Sequence, residues 1–259
     1  MNAILRELDR RQPVLARLGW AMAALLAACL AAMLVDGRSI NGVSVWTKPA
    51  KFAASLAVWF WTLAWAWGVL APAAREGRIA RLVLWGTVAA GLFEQGWITL
   101  RAALGLRSHF ASDPLGAFMF SVMGAAALAL VLLAAVLGLL VLWRGDAAQA
   151  RPWRMAVGLG LVVAGVMGGV TGFAIGAQGG PVIGGTLSDA ASWPPFFWSR
   201  DGGDLRIAHF LGTHAMQVVP AFALLAAPGA AGVMLAALGW LALSVAAFVL
   251  ALAGIPLMP

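Results

Sequence analysis

Charged side chains are scarce in this chain. Asp, Glu, Lys and Arg make up 10% of its 259 residues, where an average soluble domain carries about 25%. Charge is missing altogether from residues 115–143 and 207–259, and each gap exceeds the roughly 20 residues that cross a bilayer core. That deficit excludes an ordinary water-soluble globule, which must cover itself with polar groups. Cysteine occurs once, at Cys29, so no disulfide joins two parts of the chain. Tyrosine is absent, which leaves the interfacial aromatic belt to tryptophan. Trp20, Trp46, Trp143 and Trp153 stand near the ends of apolar runs, where such a belt belongs. Lysine occurs only at Lys48 and Lys51, which excludes a retinal-type photoreceptor with its lysine in the last span. No internal repeat of the kind that marks many transporters is visible.

What remains is 63% hydrophobic. The apolar runs predict an all-α fold, an integral membrane bundle of seven transmembrane helices in a single domain. The spans fall near 14–35, 52–72, 79–100, 115–143, 154–177, 205–227 and 231–254. The first is too long for the apolar core of a signal peptide and reads as a span. The fourth is longer than a bilayer requires and is expected to tilt.

The formal charge is +7. Its basic residues lie in short clusters between apolar runs, which is the pattern of orientation signals and excludes a nucleic-acid partner. Ten of them lie on one side: Arg6, Arg10, Arg11 and Arg17, then Arg75, Arg78 and Arg81, then Arg144, Arg151 and Arg154. Seven lie on the other: Arg38, Lys48, Lys51, Arg101, Arg107, Arg200 and Arg206. This bias places the N-terminus in the cytoplasm and the C-terminus outside. The lipid bilayer is then the first expected partner. Residues 178–204, rich in Gly, Pro and aromatics, form an outer loop that reads equally as a lid or as a hairpin resting in the interface. In the fifth run the steps Gly165–Gly169, Gly168–Gly172 and Gly172–Gly176 permit close helix approach, within the bundle or in a homo-oligomer.

Polar residues within a membrane are costly and therefore point to function. In VWTKPAKFAAS, at about 100° per residue, Lys48, Lys51, Ser55 and Thr62 form one stripe. Lys48 suits a snorkelling role; Lys51 lies a turn deeper. Glu94, in GLFEQGWITLR, is the sole acid inside any expected span. Arg101 is about 10 Å further along the same face, too far for a direct bond, so Glu94 needs another partner: Lys51, a histidine, a metal or its own proton. Arg107, His109 and Asp113 follow in LRSHFASDPLGAF, where Asp113 before Pro114 also fits a helix N-cap. In GGDLRIAHFLGTHAMQVVP, Asp204 reads as an N-cap. Arg206, His209, Thr213, His214 and Gln217 form a broad polar face, and Pro220 is placed to kink the helix. His209 and His214 are five apart and do not form the i, i+4 pair that chelates zinc from one helix.

The segments SHFASDPLGAFMFSVMG and GDLRIAHFLGTHAMQVVP resemble a group of uncharacterised bacterial multi-pass membrane proteins, over spans two to six. That resemblance implies the bacterial cytoplasmic membrane. A more distant likeness is to the seven-helix metal-dependent hydrolases of the alkaline ceramidase and progestin/adiponectin-receptor type. It rests on Ser55, His109, Asp113 and a late histidine pair standing in that order. The late pair here is H-x-x-x-x-H rather than H-x-x-x-H, and it lies in the sixth span.

Three functions remain open. One is a membrane-embedded metal-dependent enzyme for a lipid or other apolar small molecule. In it, His109, Asp113, His209 and His214 would hold zinc or iron, and Glu94, Ser55 and Lys51 would serve the chemistry. A second is an electron-transfer protein holding haem b between two histidines. The third is a transporter or sensor whose polar solute is bound from outside by Lys51, Glu94, Arg101 and Arg206; for a substrate, Arg101, Arg107, Arg206 and Gln217 are the expected binding residues.

Overall fold

Proline opens several helices of this chain. Its missing N–H costs nothing in a first helical turn, where that donor has no intrahelical partner. The computed structural model describes residues 2–111, 113–186, 195–227 and 229–258. A short helix α1 (Asn2–Arg11) precedes α2 (Pro13–Val35), and a two-residue hairpin β1 (Ser39–Ile40) and β2 (Val43–Ser44) leads into α3 (Thr47–Trp67). After a turn and the one-turn α4 (Pro72–Arg75) come α5 (Arg78–Ala103), α6 (Pro114–Arg144) and α7 (Arg151–Ala177). Strands β3 (Val182–Ile183) and β4 (Gly203–Asp204) pair antiparallel. The chain ends with α8 (Leu205–Thr213), α9 (Ala215–Ala226) and α10 (Ala230–Leu252).

The chain is thus all-α apart from two small hairpins. Helices α2, α6, α7 and α10 are long and apolar enough to cross a membrane, and α8 with α9, bent by 46°, make a fifth candidate. These are the helices of a membrane protein. Helices α3 and α5 have 21 and 26 residues, but lysines, Glu94, Gln95 and tryptophans lower their hydropathy.

Helix α7 packs against α6 on one side and α8, α9 and α10 on the other; α2 packs on α3, and α5 on α3 and α6. Phe60, Leu63, Leu137 and Leu161 are fully buried where these helices meet. The glycines of α7 serve this packing. A Cβ on Gly165 would stand 2.6 Å from the Val131 carbonyl oxygen of α6, and one on Gly160 2.7 Å from that of Ala215 on α9. Only bare backbone permits those approaches.

The sixth run is broken at His214, six residues before Pro220. The bend seats the first turn of α9 against Gly160, with the Pro220 ring beside it. At the break Trp240 Nε1 donates to Leu211 O at 2.8 Å, and the Thr213 hydroxyl bonds back to His209 O at 2.8 Å.

The connections sort into two ends. At one, Arg38 donates to Ala103 O, Arg107 to Asn41 Oδ1, and Lys51 to Phe196 O, while Gly203 lies against the end of α10 at Ala251. At the other, Arg11 donates to Trp65 O, Ala71 N to Arg144 O, and Gln149 to Gly68 O. The chain therefore begins at one end and reaches Ala251 at the other.

Candidate functional site

The end that holds Ala251 also gathers most of the chemistry-bearing residues. Helix α5 contributes the interior part. Glu94 is 2% exposed and its Oε1 has no hydrogen-bond partner among the described residues; the same holds for Gln95 Oε1 and Thr87 Oγ1 on this helix. Gln95 Nε2 donates to Pro49 O at 3.3 Å and Thr99 Oγ1 at 3.0 Å, which ties α5 to the start of α3. Buried oxygens without donors are rare in folded proteins, and three on one helix mark a polar interior.

The lysines divide differently from the expectation. Lys48 is the charge within electrostatic reach of both Glu94 and His109. Lys51 turns instead to the 195–204 segment, donating to Phe196 O at 3.2 Å with Phe197 5.3 Å away. Ser55, expected beside them, is exposed on α3.

His109 sits between Phe52 and Phe120, at ring-centroid distances of 5.9 and 5.7 Å, with Nδ1 3.2 Å from Ser108 Oγ. Burial first, and the Lys48 charge second, hold its imidazole well below the usual range. Its neighbour Phe110 has φ +51°, a left-handed backbone that costs a bulky residue energy. The ring of Phe110 packs 4.6 Å from Phe120.

Arg101 is 5% exposed and is committed to Asp113, Nη2 to Oδ2 at 2.5 Å and Nη1 to Oδ1 at 3.3 Å, while its Nε donates to Arg107 O at 2.8 Å. Asp113 also accepts from Gly116 N at 2.8 Å, as the N-cap of α6. Arginine and cap together hold the Asp113 carboxyl below the usual aspartate range. Both its oxygens are thus engaged by donors.

Arg206 is likewise occupied. It grips Asp204 through Nε (2.9 Å) and Nη2 (2.7 Å) and donates to Phe197 O at 2.7 Å. Asp204 caps α8 through Arg206 N and accepts from Ser199 N at 2.7 Å. These bonds, with the β3–β4 pairing, fold the described part of the 178–204 loop onto α8; its residues 187–194, where a lid was also expected, lie outside the described residues. Phe196 stacks on Trp198 at 4.7 Å, and both meet Phe210, whose ring lies 4.2 Å from His214.

The two histidines of the broken helix have separate partners. His209 Nδ1 is 2.9 Å from Thr171 Oγ1 of α7, and His214 Nδ1 is 3.1 Å from Gln217 Oε1. Gln217 in turn reaches Thr62 of α3 at 2.9 Å. Among the described residues no group of three or more His, Cys, Asp or Glu side chains is placed to hold a metal ion. His109 lies with Ser108 and two phenylalanines, Asp113 with Arg101, and His209 and His214 with a threonine and a glutamine.

Asn41 and Thr171 were not among the expected residues. The first was legible: Asn-Gly between Ile40 and Val43 is the signature of a two-residue hairpin turn. Asn41 and Gly42 do adopt φ +54° and +82°, and the turn presents Asn41 Oδ1 to Arg107 at 2.6 Å. Thr171 carried no signal beyond being a lone hydroxyl in an apolar helix.

Comparison with protein-family models, curated proteins and solved structures returns no match for this chain.

Proposed function

We propose that this chain crosses the membrane seven times, with its N-terminus in the cytoplasm, and binds a polar solute from outside as a transporter or sensor. The crossings are α2, α3, α5, α6, α7, the bent α8–α9 pair and α10. Support for seven comes from the alternation of connections between two ends, which gives α3 and α5 the same end-to-end course as their apolar neighbours. The basic residues, ten against seven, support the orientation.

The observation that carries the solute reading is Glu94 Oε1, an acceptor inside the bundle with no hydrogen-bond partner among the described residues and with Lys48 within electrostatic reach. A site built for a ligand leaves such a group for the ligand to satisfy. The bend at His214 adds to this, because broken helices line binding sites in many membrane proteins. Among the described residues no group of three or more His, Cys, Asp or Glu side chains is placed to hold a metal ion, which favours this reading over the metal-dependent enzyme.

The test is a thermal-shift screen of the purified full chain against small carboxylates, amines and sugars, repeated with Glu94→Gln and with metal analysis and a visible spectrum. A stabilising solute whose effect falls at least tenfold in apparent affinity in Glu94→Gln supports the proposal. Stoichiometric zinc or iron, or a Soret band, would overturn it in favour of the enzyme or the haem protein.

A further inference from the structure

The end of α5 and the β1–β2 hairpin border an open cavity of about 410 Å³, lined by Ser39, Asn41, Arg101, Arg107 and Asp113 among others. Its size is that of a small-molecule site. Its walls are a neutral hydroxyl and amide on one side and guanidinium groups on the other.

The charges do not cancel. Arg38, which borders the cavity at Gly105, is neutralised by Asp36 through Nε (2.9 Å) and Nη2 (2.7 Å). Arg101 is neutralised by Asp113. Arg107 is exposed, and its one side-chain bond among the described residues is to the neutral Asn41. Three guanidinium groups thus face two carboxylates. The excess charge sits on Arg107, a planar fork of five donors of which Asn41 takes one. Arg101, held rigid at 5% exposure, also keeps donors beyond its bonds to Asp113 and Arg107 O.

We infer that this cavity binds a singly charged oxyanion, a carboxylate or a phosphate diester, between Arg107, Arg101 and the polar edge of the hairpin. Arginine presents paired N–H groups that match the two oxygens of such a group. Ser39 and Asn41 meet its uncharged polar substituents. A doubly charged ligand is disfavoured, since Asp113 and Asp36 leave only one charge uncompensated. The inference rests on the solute reading above and names its chemistry, since Arg101 follows Glu94 by about 10 Å along α5. The same oxyanion could come from a free solute or from an anionic lipid headgroup at the interface.

Both sources are tested on the full chain. In lipid-free detergent at pH 6, where phosphate is mainly the monoanion, acetate, lactate and inorganic phosphate are titrated against chloride at equal ionic strength while melting is followed. In nanodiscs, phosphatidylglycerol is compared with phosphatidylcholine. A saturable rise of a few degrees with an oxyanion over chloride, lost in Arg107→Gln and partly kept in Arg107→Lys, identifies a solute site. The same pattern with phosphatidylglycerol alone identifies a headgroup site. Equal stabilisation by chloride, no stabilisation in either arm, or an effect unchanged in Arg107→Gln would overturn the inference. Arg107→Gln is expected to melt close to the parent in chloride, since Arg107 is exposed, makes no ion pair among the described residues, and loses only its surface bond to Asn41. A failure here with an intact Glu94-dependent response to an amine or sugar would remove the oxyanion chemistry and leave the solute reading standing.

Discussion

Gln217 on α9 donates from Nε2 to Thr62 Oγ1 on α3 at 2.9 Å, joining the broken helix to the lysine-bearing one. The direction of this bond follows from Thr62, whose one hydroxyl proton goes to Val58 O at 2.8 Å. Thr62 therefore accepts, the Gln217 amide is oriented with Oε1 toward His214, and the proton between them sits on His214 Nδ1. The same count applies to His209, because Thr171 gives its proton to Met167 O at 2.5 Å. Both rings, when neutral, keep a bare Nε2. Nitrogen-15 spectra of histidine-labelled protein are expected to show the Nδ1–H tautomer at both positions. In Thr62→Val, Gln217 loses its acceptor, the His214 signals shift, and stability falls by about 1 kcal/mol. Nε2–H tautomers would refute the chain of bonds.

Asp113 makes acid stability depend on one contact. Its carboxyl, lowered by Arg101 and the Gly116 N–H, stays ionised in the fold at pH values where the unfolded chain has begun to bind a proton. The stabilisation is complete above the usual aspartate value of 3.8 and fades as pH falls through the folded value. The measurement is melting temperature against pH between 6 and 3 in detergent. Asp113→Asn is expected to melt lower at pH 6 and to lose part of the acid slope. An unchanged slope would show that the pair does not couple folding to protons.

The helices were legible because long charge-free runs admit one reading. Their ends were less so. The second span was expected at 52–72, but α3 begins at Thr47 and stops at Trp67. Val69 and Leu70 are apolar because the turn that holds them is itself buried, and hydropathy does not separate a buried turn from a helix. Pro220 drew the expected kink, whereas the break came at His214, where approach to Gly160 decides the geometry. Helical spacing placed Lys48 and Lys51 on one stripe, but the direction of a four-carbon side chain is set by distant partners. Phe196, 145 residues away, takes Lys51 and leaves Lys48 to face Glu94. Asp113 and Asp204 were legible as caps from Pro114 and from the start of an apolar run.

His109 is expected to stay neutral well into acid. Burial and Lys48 lower its affinity for a proton in the fold, while the unfolded chain titrates near the usual 6.5. Stability from this group is therefore complete above about pH 6.5 and declines as pH falls below it, because only the unfolded state gains a proton there. Carbon-13 shifts of labelled histidine, followed from pH 8 to 5, give the test. The His109 resonances should remain those of neutral imidazole at pH 5.5, and in Lys48→Met they should begin to move at higher pH. Titration at or above 6.5 in the parent would contradict the placement beside Lys48.

Gly203 sets how the β3–β4 pair meets α10. A Cβ at this position would collide with the Ala251 carbonyl oxygen and lie 2.8 Å from the Ala251 Cα. Both are backbone atoms and cannot turn aside as a side chain would. Next to it, a Cβ on Gly202 would lie 2.6 Å from Gly185 N, so neither neighbour offers room for the strand to retreat. Gly203→Ala must therefore push β4 away from α10. That displaces Asp204, which is buried while capping α8 and receiving Arg206 and Ser199 N. Overpacking of this kind costs about 1–3 kcal/mol, and loosening a buried charged cap adds to it. The expected result is a clear drop in melting temperature together with faster proteolysis within 178–204. Gly176→Ala, at an α7 position with open space around its Cβ, serves as the control and should leave both unchanged. Equal behaviour of the two variants would mean that the hairpin does not rest on Ala251.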